Sequence, residues 1–371
     1  MATSCLFLLD SLGIGGSEQK TIRAANLLAE QRGSVHLGFL NATPTLANAI
    51  NPRIPLLAGN RKGKLDLRLL RQIRRYIKDE DIDVVWSVNL YPLLYLYLAT
   101  RGLGRKVRVI GSSNITEFRN AYERAKMRIY APIISRLDGF VFGSHQQQAL
   151  WEERYGLKGD KLHVIHNGVD TAWFRAGAAA MDRKAVRQRY GFDEPAVVIG
   201  MVAQFRPEKA HGDLIEAVCE LRQSGFDAKL LLVGSGPEQQ RIRDLVQRRG
   251  VADHVVFAGQ LDDVRPALSA MDVFALTSRS VETFSNAALE AMAMELPAVL
   301  SDLSGATEMV SNGVNGFVYP PGDVGELKNT LVSLMDSDLR RHFGRTGRRI
   351  VEERFSATTM AEQYSKLIRG A

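Results

Sequence analysis

Two cations lie close together in a short segment that follows an apolar strand candidate. Arg206 and Lys209 come after the run Val197–Val202, in the turn Gln204–Ala210. An arginine can bond two oxygens of one phosphate and a lysine adds a point charge, so the pair suits a diphosphate. The same residues also fit an exposed loop in which Arg206 pairs with Glu208. The segment alone favours neither interpretation.

Two carboxylates follow another strand candidate. Glu282 lies in the turn after Val273–Leu276, and Glu290 lies in the second turn of a predicted helix, Asn286–Met294, which Ser285 or Asn286 can cap. Carboxylates accept hydrogen bonds from sugar and ribose hydroxyls, and free N–H groups at the start of the helix can hold phosphate. An acid/base pair of the glycosidase type, or two surface glutamates, are the alternatives.

A glycine turn, Gly13–Gly16, separates the strand candidate Cys5–Leu9 from the predicted helix Ser17–Glu30. Glycines there let a backbone approach a ligand, and the start of the helix favours an anion. The spacing differs from G-x-G-x-x-G, so it does not favour a nicotinamide dinucleotide. On its own the turn fits a tight connection without a ligand better.

The sequence contains no motif typical of a metal site or a redox site. The 7 histidines and 2 cysteines form no H-E-x-x-H or C-x-x-C arrangement, so we expect no metal site and no bound cofactor. Cys5 and Cys219 are far apart, which favours a reducing cytoplasm and no structural disulfide.

The elements that must position these residues alternate between strands and helices in both halves of the chain. Such alternation predicts parallel pairing with right-handed crossovers, and hence α/β architecture with two Rossmann-like doubly wound domains facing a central cleft. Residues 176–195 are small, then polar, and predict a linker between domains 1–175 and 196–352. Residues 353–371 predict a C-terminal helix that packs back toward the first domain.

Charge is unevenly distributed. Residues 1–185 hold 27 Lys+Arg against 16 Asp+Glu, and the rest of the chain holds 21 against 25. A basic half favours an anionic partner such as a membrane surface, and an ordinary solvated surface is an equally good interpretation. The basic residues lack an aromatic stacking pattern, so we expect no nucleic acid partner.

Four segments in order resemble signatures of the retaining glycosyltransferases of family 4, which have the two-domain GT-B fold. They are HNGVD at 166–170, VGSGP at 233–237, ETFSNAALEAMA at 282–293 and NGF at 315–317. The third is similar to the E-x7-E segment of the family. The resemblance covers nearly the whole chain.

The resemblance implies roles for the residues introduced above. Glu290 would bind the ribose, Glu282 the donor sugar, and Arg206 with Lys209 the leaving diphosphate. Further contacts to the donor would come from Gly15, Gly16, Asn114, Val264 in the base-pocket loop Gln260–Val264, Thr283, Phe284, Ser285 and Asn286.

The chain departs from the family pattern at four positions. Gln204 stands where the phosphate-loop arginine is usual, so Arg206 would supply that charge. Asn114 belongs to a Ser-Ser-Asn segment where many members have histidine, and an amide cannot carry a proton. Ser285 and Glu295 each replace a common glycine.

The resemblance therefore implies a retaining, metal-independent enzyme that uses a nucleotide-sugar, preferably a UDP-sugar, as co-substrate. The acceptor would be a glycan or a lipid-linked sugar in cell-surface polysaccharide or glycolipid synthesis. We expect a cytoplasmic protein that can lie on the membrane face. A sugar-nucleotide epimerase of similar fold and a non-catalytic protein that binds anionic lipid are the alternatives.

Overall fold

The computed structural model describes residues 3–13, 15–31, 33–41, 46–118, 121–177 and 182–370. The chain divides into two compact units, Met1–Gly168 with Ala357–Ala371 and Val169–Ser356. Each unit is built on one parallel sheet with helices between its strands. The predicted pair of Rossmann-like α/β domains is confirmed.

The first unit has a seven-stranded sheet in the order β3-β2-β1-β4-β5-β6-β7, with every neighbouring pair parallel. The direction of winding reverses between β1 and β4, which makes the carboxyl ends of these strands the switch point of the sheet. The strands are β1 (Ser4–Leu9), β2 (Ser34–Phe39), β3 (Leu56–Ala58), β4 (Val84–Val88), β5 (Arg108–Ser113), β6 (Gly139–Phe142) and β7 (Leu162–Val164); the helices are α1 (Gly16–Glu30), α2 (Leu67–Asp79), α3 (Leu90–Thr100), α4 (Ala121–Ala125), α5 (Met127–Ile134) and α6 (His145–Tyr155).

The second unit has a six-stranded sheet in the order β10-β9-β8-β11-β12-β13, again all parallel. Its switch point lies between β8 and β11, the strands that precede the predicted cations and carboxylates. The strands are β8 (Val197–Val202), β9 (Ala228–Val233), β10 (Val255–Gly259), β11 (Val273–Leu276), β12 (Ala298–Ser301) and β13 (Gly316–Tyr319); the helices are α7 (Arg183–Arg189), α8 (His211–Gln223), α9 (Gln239–Arg248), α10 (Arg265–Ala270), α11 (Asn286–Ala293), α12 (Ala306–Met309), α13 (Val324–Ser333) and α14 (Ser337–Arg354).

The last helix, α15 (Ala357–Arg369), belongs to the first unit. The ring of Tyr364 packs 4.6 Å from that of Trp86 and 6.0 Å from that of Phe7. Helix α15 therefore covers the face of the first sheet that α1 also covers.

Part of the predicted linker 176–195 is ordered as α7. Residues 178–181 of that range lie outside the described residues. The Arg187 side chain is 3% exposed, and it donates to Asp272 over 3.0 Å and to the carbonyl of Ala196 over 2.5 Å. Because a buried charge needs a partner, the bond from Arg187 to Asp272 fixes α7 to the second unit. The polar sequence of the segment had instead indicated an exposed linker.

Strand β3 and helix α3 are among the elements that the sequence did not predict. Strand β3 has only three residues, of which Leu56 is 45% exposed, so it carries no apolar run. Helix α3 has apolar residues on all sides, which hides its periodicity. Of the described helices, none has both the length and the apolar character to cross a membrane.

Candidate active site

The glycine loop after β9 supports the segment that carries the two cations. A Cβ on Gly236 would lie 2.4 Å from the carbonyl oxygen of Phe205. The N–H of Phe205 donates to the carbonyl of Ser235 over 2.9 Å, and its carbonyl accepts from the N–H of Glu238 over 3.0 Å. The glycine thus lets two backbones touch, which fixes the turn Gln204–Ala210 beyond the end of β8.

Lys209 and Glu282 meet at the switch point of the second sheet. The Lys209 Nζ lies 2.5 Å from the Glu282 Oε2, and the two side chains are only 20% and 17% exposed. The Ser278 hydroxyl donates to the same carboxylate oxygen over 3.2 Å. Lys209 follows β8 and Glu282 follows β11. Although they are distant in sequence, the cation and the carboxylate therefore form a single partly buried centre.

The hydroxyl of Thr277, the residue after β11, holds the main chain at Lys209. It is fully buried and donates a bifurcated hydrogen bond to the carbonyls of Lys209 and Ala210, both at 3.1 Å. The N–H of Arg279 donates to the carbonyl of Glu208 over 2.8 Å. These bonds fasten the loop after β8 to the loop after β11.

An ion pair strengthens the same junction. The Arg279 guanidinium donates to both carboxylate oxygens of Asp213 over 2.8 and 2.7 Å, which ties the loop after β11 to the first turn of α8. The backbone at the junction is also strained, because Ala210 and Val281 have left-handed φ values of 47° and 56°. Such strain persists where surrounding contacts fix the chain, and it is common at functional sites.

Helix α11 begins immediately after the loop of Glu282. The Ser285 hydroxyl accepts from the N–H of Ala288 over 3.2 Å, which makes it the N-cap. Its φ is −74°, so the glycine common in the family is not required here. Asn286 is the first helical residue, and Glu290, in the next turn, is half-buried.

Thr283 and Phe284 hold the loop before α11 in place. The carbonyl of Thr283 accepts from the N–H of Gly305 over 2.9 Å. The Phe284 ring is 4% exposed and packs 5.2 Å from that of Phe355. The Phe284 side chain therefore contributes to the core, and only its backbone can serve a ligand.

Glu295, the other substituted glycine position, has a left-handed φ of 61°. A Cβ on Gly344 would lie 1.9 Å from the Glu295 carbonyl oxygen. The turn after α11 is thus close-packed and strained in a way that glycine at 295 would relieve.

The predicted base-pocket loop lies after β10. The Ser235 hydroxyl donates to the Gln260 side-chain oxygen over 3.1 Å, which links this loop to the glycine loop. Val264 is half-buried and is the N-cap of α10. The loop therefore borders the glycine loop after β9.

Arg206 and Lys209 point to different surroundings. Among the described residues, the Arg206 side chain makes no hydrogen bond or ion pair, so the alternative pairing with Glu208 is absent. The Arg206 side chain is exposed and lines a cavity beside the start of α8, which neither Lys209 nor Glu282 lines. Its role toward a donor stays a prediction.

Gly15, Gly16 and Asn114 belong to the first unit. Gly15 is the N-cap of α1 and Gly16 its first residue. A Cβ on Gly15 would lie 2.3 Å from a carboxylate oxygen of Glu18, and burial raises the pKa of Glu18. The start of α1 thus already faces a carboxylate of the chain. The N–H of Asn114 donates to the side-chain oxygen of Asn89 over 3.2 Å.

The two parallel, doubly wound sheets define the GT-B class. The fold closely matches that of HepE from Anabaena in a complex with UDP, at a TM-score of 0.86 and 21% identity over the full length of both chains. It also matches a glycosyltransferase from Rickettsia africae, at a TM-score of 0.86 and 19% identity over 99% of this chain and 98% of that one.

Residues 14–173 match the model for Glycosyltransferase Family 4, and residues 182–350 match that for Glycosyl transferases group 1. The GDP-mannose-dependent alpha-(1-6)-phosphatidylinositol monomannoside mannosyltransferase of Mycobacterium tuberculosis is 30% identical over 81% of this chain and 79% of its own. The N-acetyl-alpha-D-glucosaminyl L-malate synthase of Bacillus anthracis is 25% identical over 95% and 93%. The chain belongs to glycosyltransferase family 4 and is a glycosyltransferase.

Sequence reasoning missed Thr277, Ser278 and the Asp213–Arg279 pair. The available signal was position: two hydroxyls and an arginine come directly after β11, where ligands of doubly wound sheets bind. Which backbone carbonyls they reach depends on the tertiary fold.

Proposed function

We propose that this chain is a retaining, metal-independent glycosyltransferase that moves a sugar from a UDP-sugar to a glycan or lipid-linked acceptor. The observation that carries the proposal is the Lys209–Glu282 pair at the switch point of the second sheet. It joins a cation suited to a leaving diphosphate to a carboxylate suited to sugar hydroxyls.

In this mechanism Lys209 stabilises the charge that develops on the leaving diphosphate as the glycosidic bond breaks. Glu282 orients the sugar through its hydroxyls, and Glu290 binds the ribose. Arg206 adds positive charge to the diphosphate. The cations thereby supply the electrostatic stabilisation that a metal ion supplies in other transferases, which is why we propose metal independence.

The preference for UDP rests on HepE, whose structures hold UDP, UDP with glucose, and UDP-glucose. A GDP-sugar is the second candidate, because the relative that is 30% identical uses GDP-mannose. That relative acts on a phosphatidylinositol mannoside, which supports a lipid-linked acceptor.

A panel of UDP- and GDP-sugars tests the donor. Release of nucleoside diphosphate should require acceptor and should proceed equally in EDTA. The product anomer, followed by proton NMR during the first turnovers, should keep the configuration of the donor. Conversion of the donor sugar without release of nucleotide would instead indicate an epimerase.

We also propose that the first unit contacts an anionic membrane surface. Leu65 and Leu67 are 49% and 54% exposed, and five exposed cations flank them: Lys62, Lys64, Arg68, Arg71 and Arg75. Exposed leucines among cations suit a lipid interface with anionic headgroups. Arg61 and Arg74 contribute less, because Arg61 stacks on Tyr91 and Arg74 bonds the carbonyl of Gly102.

Liposome flotation tests this surface. Leu65→Ser/Leu67→Ser should reduce flotation with vesicles that contain phosphatidylglycerol, while Arg345→Gln/Arg349→Gln in α14 should not. Equal flotation with neutral vesicles would contradict the proposal.

A further inference from the structure

A cavity of about 310 Å³ lies beside the start of α8, within the second unit. Four arginines line it, Arg206, Arg241, Arg248 and Arg279. Neither Lys209 nor Glu282 lines it, so it is separate from the pair at the switch point.

The charges on its wall do not cancel. Arg241 pairs with Glu238 over 2.8 Å, and Arg279 pairs with Asp213 over 2.7 Å. Arg248, like Arg206, makes no side-chain hydrogen bond or ion pair among the residues that the structure describes. Two guanidinium groups are therefore available to one ligand in the cavity.

The start of α8 adds backbone donors. Its N-cap residue, Ala210, offers no side-chain hydrogen bond. Within the described chain, no acceptor receives the N–H of His211 or Gly212, and both residues line the cavity. Free N–H groups at the start of a helix, with the helix dipole behind them, attract anions.

His211 provides an independent sign of an unfilled site. It is 2% exposed, it lines the cavity, and neither ring nitrogen has a partner in the described part of the chain. Its ring packs 4.5 Å from Phe205. Burial and the Lys209 charge lower the pKa of His211 to about 4, so the imidazole is neutral at pH 7. Buried polar groups without partners are rare in native proteins.

We propose that this cavity is a second anion site, which takes the phosphate group of a small phosphate monoester. Two free guanidiniums and two backbone N–H groups match the charge and the oxygen acceptors of a phosphate. Ile242 and Leu245 give the cavity an apolar wall against which a short carbon skeleton can pack. The cavity is separate from the Lys209–Glu282 pair, and Arg206 is the one residue that it shares with the donor site under "Proposed function".

Proton NMR of the intact chain locates the ligand. Inorganic phosphate and glycerol 3-phosphate are each titrated while the histidine Hε1 signals are followed; the chain has 7 histidines, and His211→Gln assigns the relevant signal. We expect the His211 signal to shift most. A larger shift at another histidine would overturn the proposal.

Substitution of Arg248 tests the cation. Arg248→Ala should weaken binding of glycerol 3-phosphate about tenfold, because a charge-assisted hydrogen bond is lost. Arg349→Ala, an exposed arginine of α14 with the same change in charge, is the control. Equal effects of the two variants would mean non-specific attraction and would overturn the site. Tighter binding of glycerol 3-phosphate than of inorganic phosphate would indicate that the site takes the phosphate group of a monoester. Equal affinities would indicate a site for the free phosphate ion and would contradict the proposal.

A competition experiment separates the two sites. UDP affinity should fall by less than about tenfold when glycerol 3-phosphate saturates the cavity, because Arg206 is the one residue that the two sites share and both ligands bind at once. Mutually exclusive binding would assign the cavity to the donor diphosphate and overturn a second site. A chain that binds no nucleotide but shows the phosphate shifts would contradict only the proposed function.

Discussion

The ammonium group of Lys209 lies 2.5 Å from the carboxylate of Glu282, across the switch point of the second sheet. The pair satisfies both charges before any donor arrives. In the proposed function, a donor diphosphate competes with Glu282 for Lys209, and the sugar offers hydroxyls to the released carboxylate. We therefore propose that the two halves of a nucleotide-sugar are recognised by groups that otherwise bind each other.

Glu282→Gln should separate these two effects. Removal of the competing charge should leave UDP binding unchanged or tighter, because Lys209 is released. The gain in affinity from UDP to the UDP-sugar should fall by about tenfold, since hydrogen bonds to a carboxylate are stronger than those to an amide. Calorimetry with both ligands measures the two affinities, and equal losses for UDP and UDP-sugar would contradict this account.

Thr277→Val should disturb the position of Lys209 while the Lys209 side chain itself stays unchanged. The substitution removes the hydroxyl donor from the carbonyls of Lys209 and Ala210, although that of Ala210 still accepts from the N–H of Asp213 over 2.9 Å. This loss should cost about 1–3 kcal/mol of unfolding free energy. We expect kcat for nucleotide release to fall more than the KM for the donor rises. Thr277→Ser keeps the hydroxyl and should restore kcat. If serine and valine gave the same kcat, the positioning role would be wrong.

Ala210→Gly should stabilise the protein. Ala210 has a φ of 47°, a conformation that costs about 1 kcal/mol for a residue with a Cβ and little for glycine. Urea unfolding should show a gain of about this size. Ala217→Gly, in the interior of α8, should instead destabilise by about 1 kcal/mol or more. Destabilisation by both changes would contradict the strain at Ala210.

Lys20 should make stability depend on pH. Its Nζ donates to the carbonyl of Ile165 over 3.0 Å, and burial lowers its pKa from 10.5 to about 7. Between those values the unfolded chain binds more protons than the folded chain, so the unfolding free energy rises with pH, by up to about 1.4 kcal/mol per unit. The difference from Lys20→Met should follow this slope from pH 7 to 9, and parallel pH profiles would refute it.

The strands of the second sheet were predictable because each is a short apolar run that ends in a turn. Val197–Val202 and Val273–Leu276 are strands with the predicted limits. The helix predicted after Glu282 forms as α11, and of the two predicted caps, Ser285 and Asn286, it is Ser285 that caps it. Local patterns sufficed for central strands such as β11 and β12 because the sheet buries them along their whole length.

The remaining features depend on contacts distant in sequence. Helix α7 forms where a linker was expected because the guanidinium of Arg187 reaches Asp272, 85 residues away. The hydroxyl of Thr277 reaches carbonyls 67 and 68 residues away. Neither partner can be inferred from local spacing, whereas the candidate site residues follow the ends of strands and can be found from the sequence.

The affinity of Lys209→Met for UDP, measured by isothermal titration calorimetry, tests the donor site most directly. We predict a loss of about tenfold to a hundredfold, because a charge-assisted contact to the diphosphate is removed. Lys328→Met, which removes a lysine 3.9 Å from Glu220 on another surface, should bind UDP as the unchanged protein does. Equal UDP affinities for the two variants would contradict a donor site at Lys209 and Glu282.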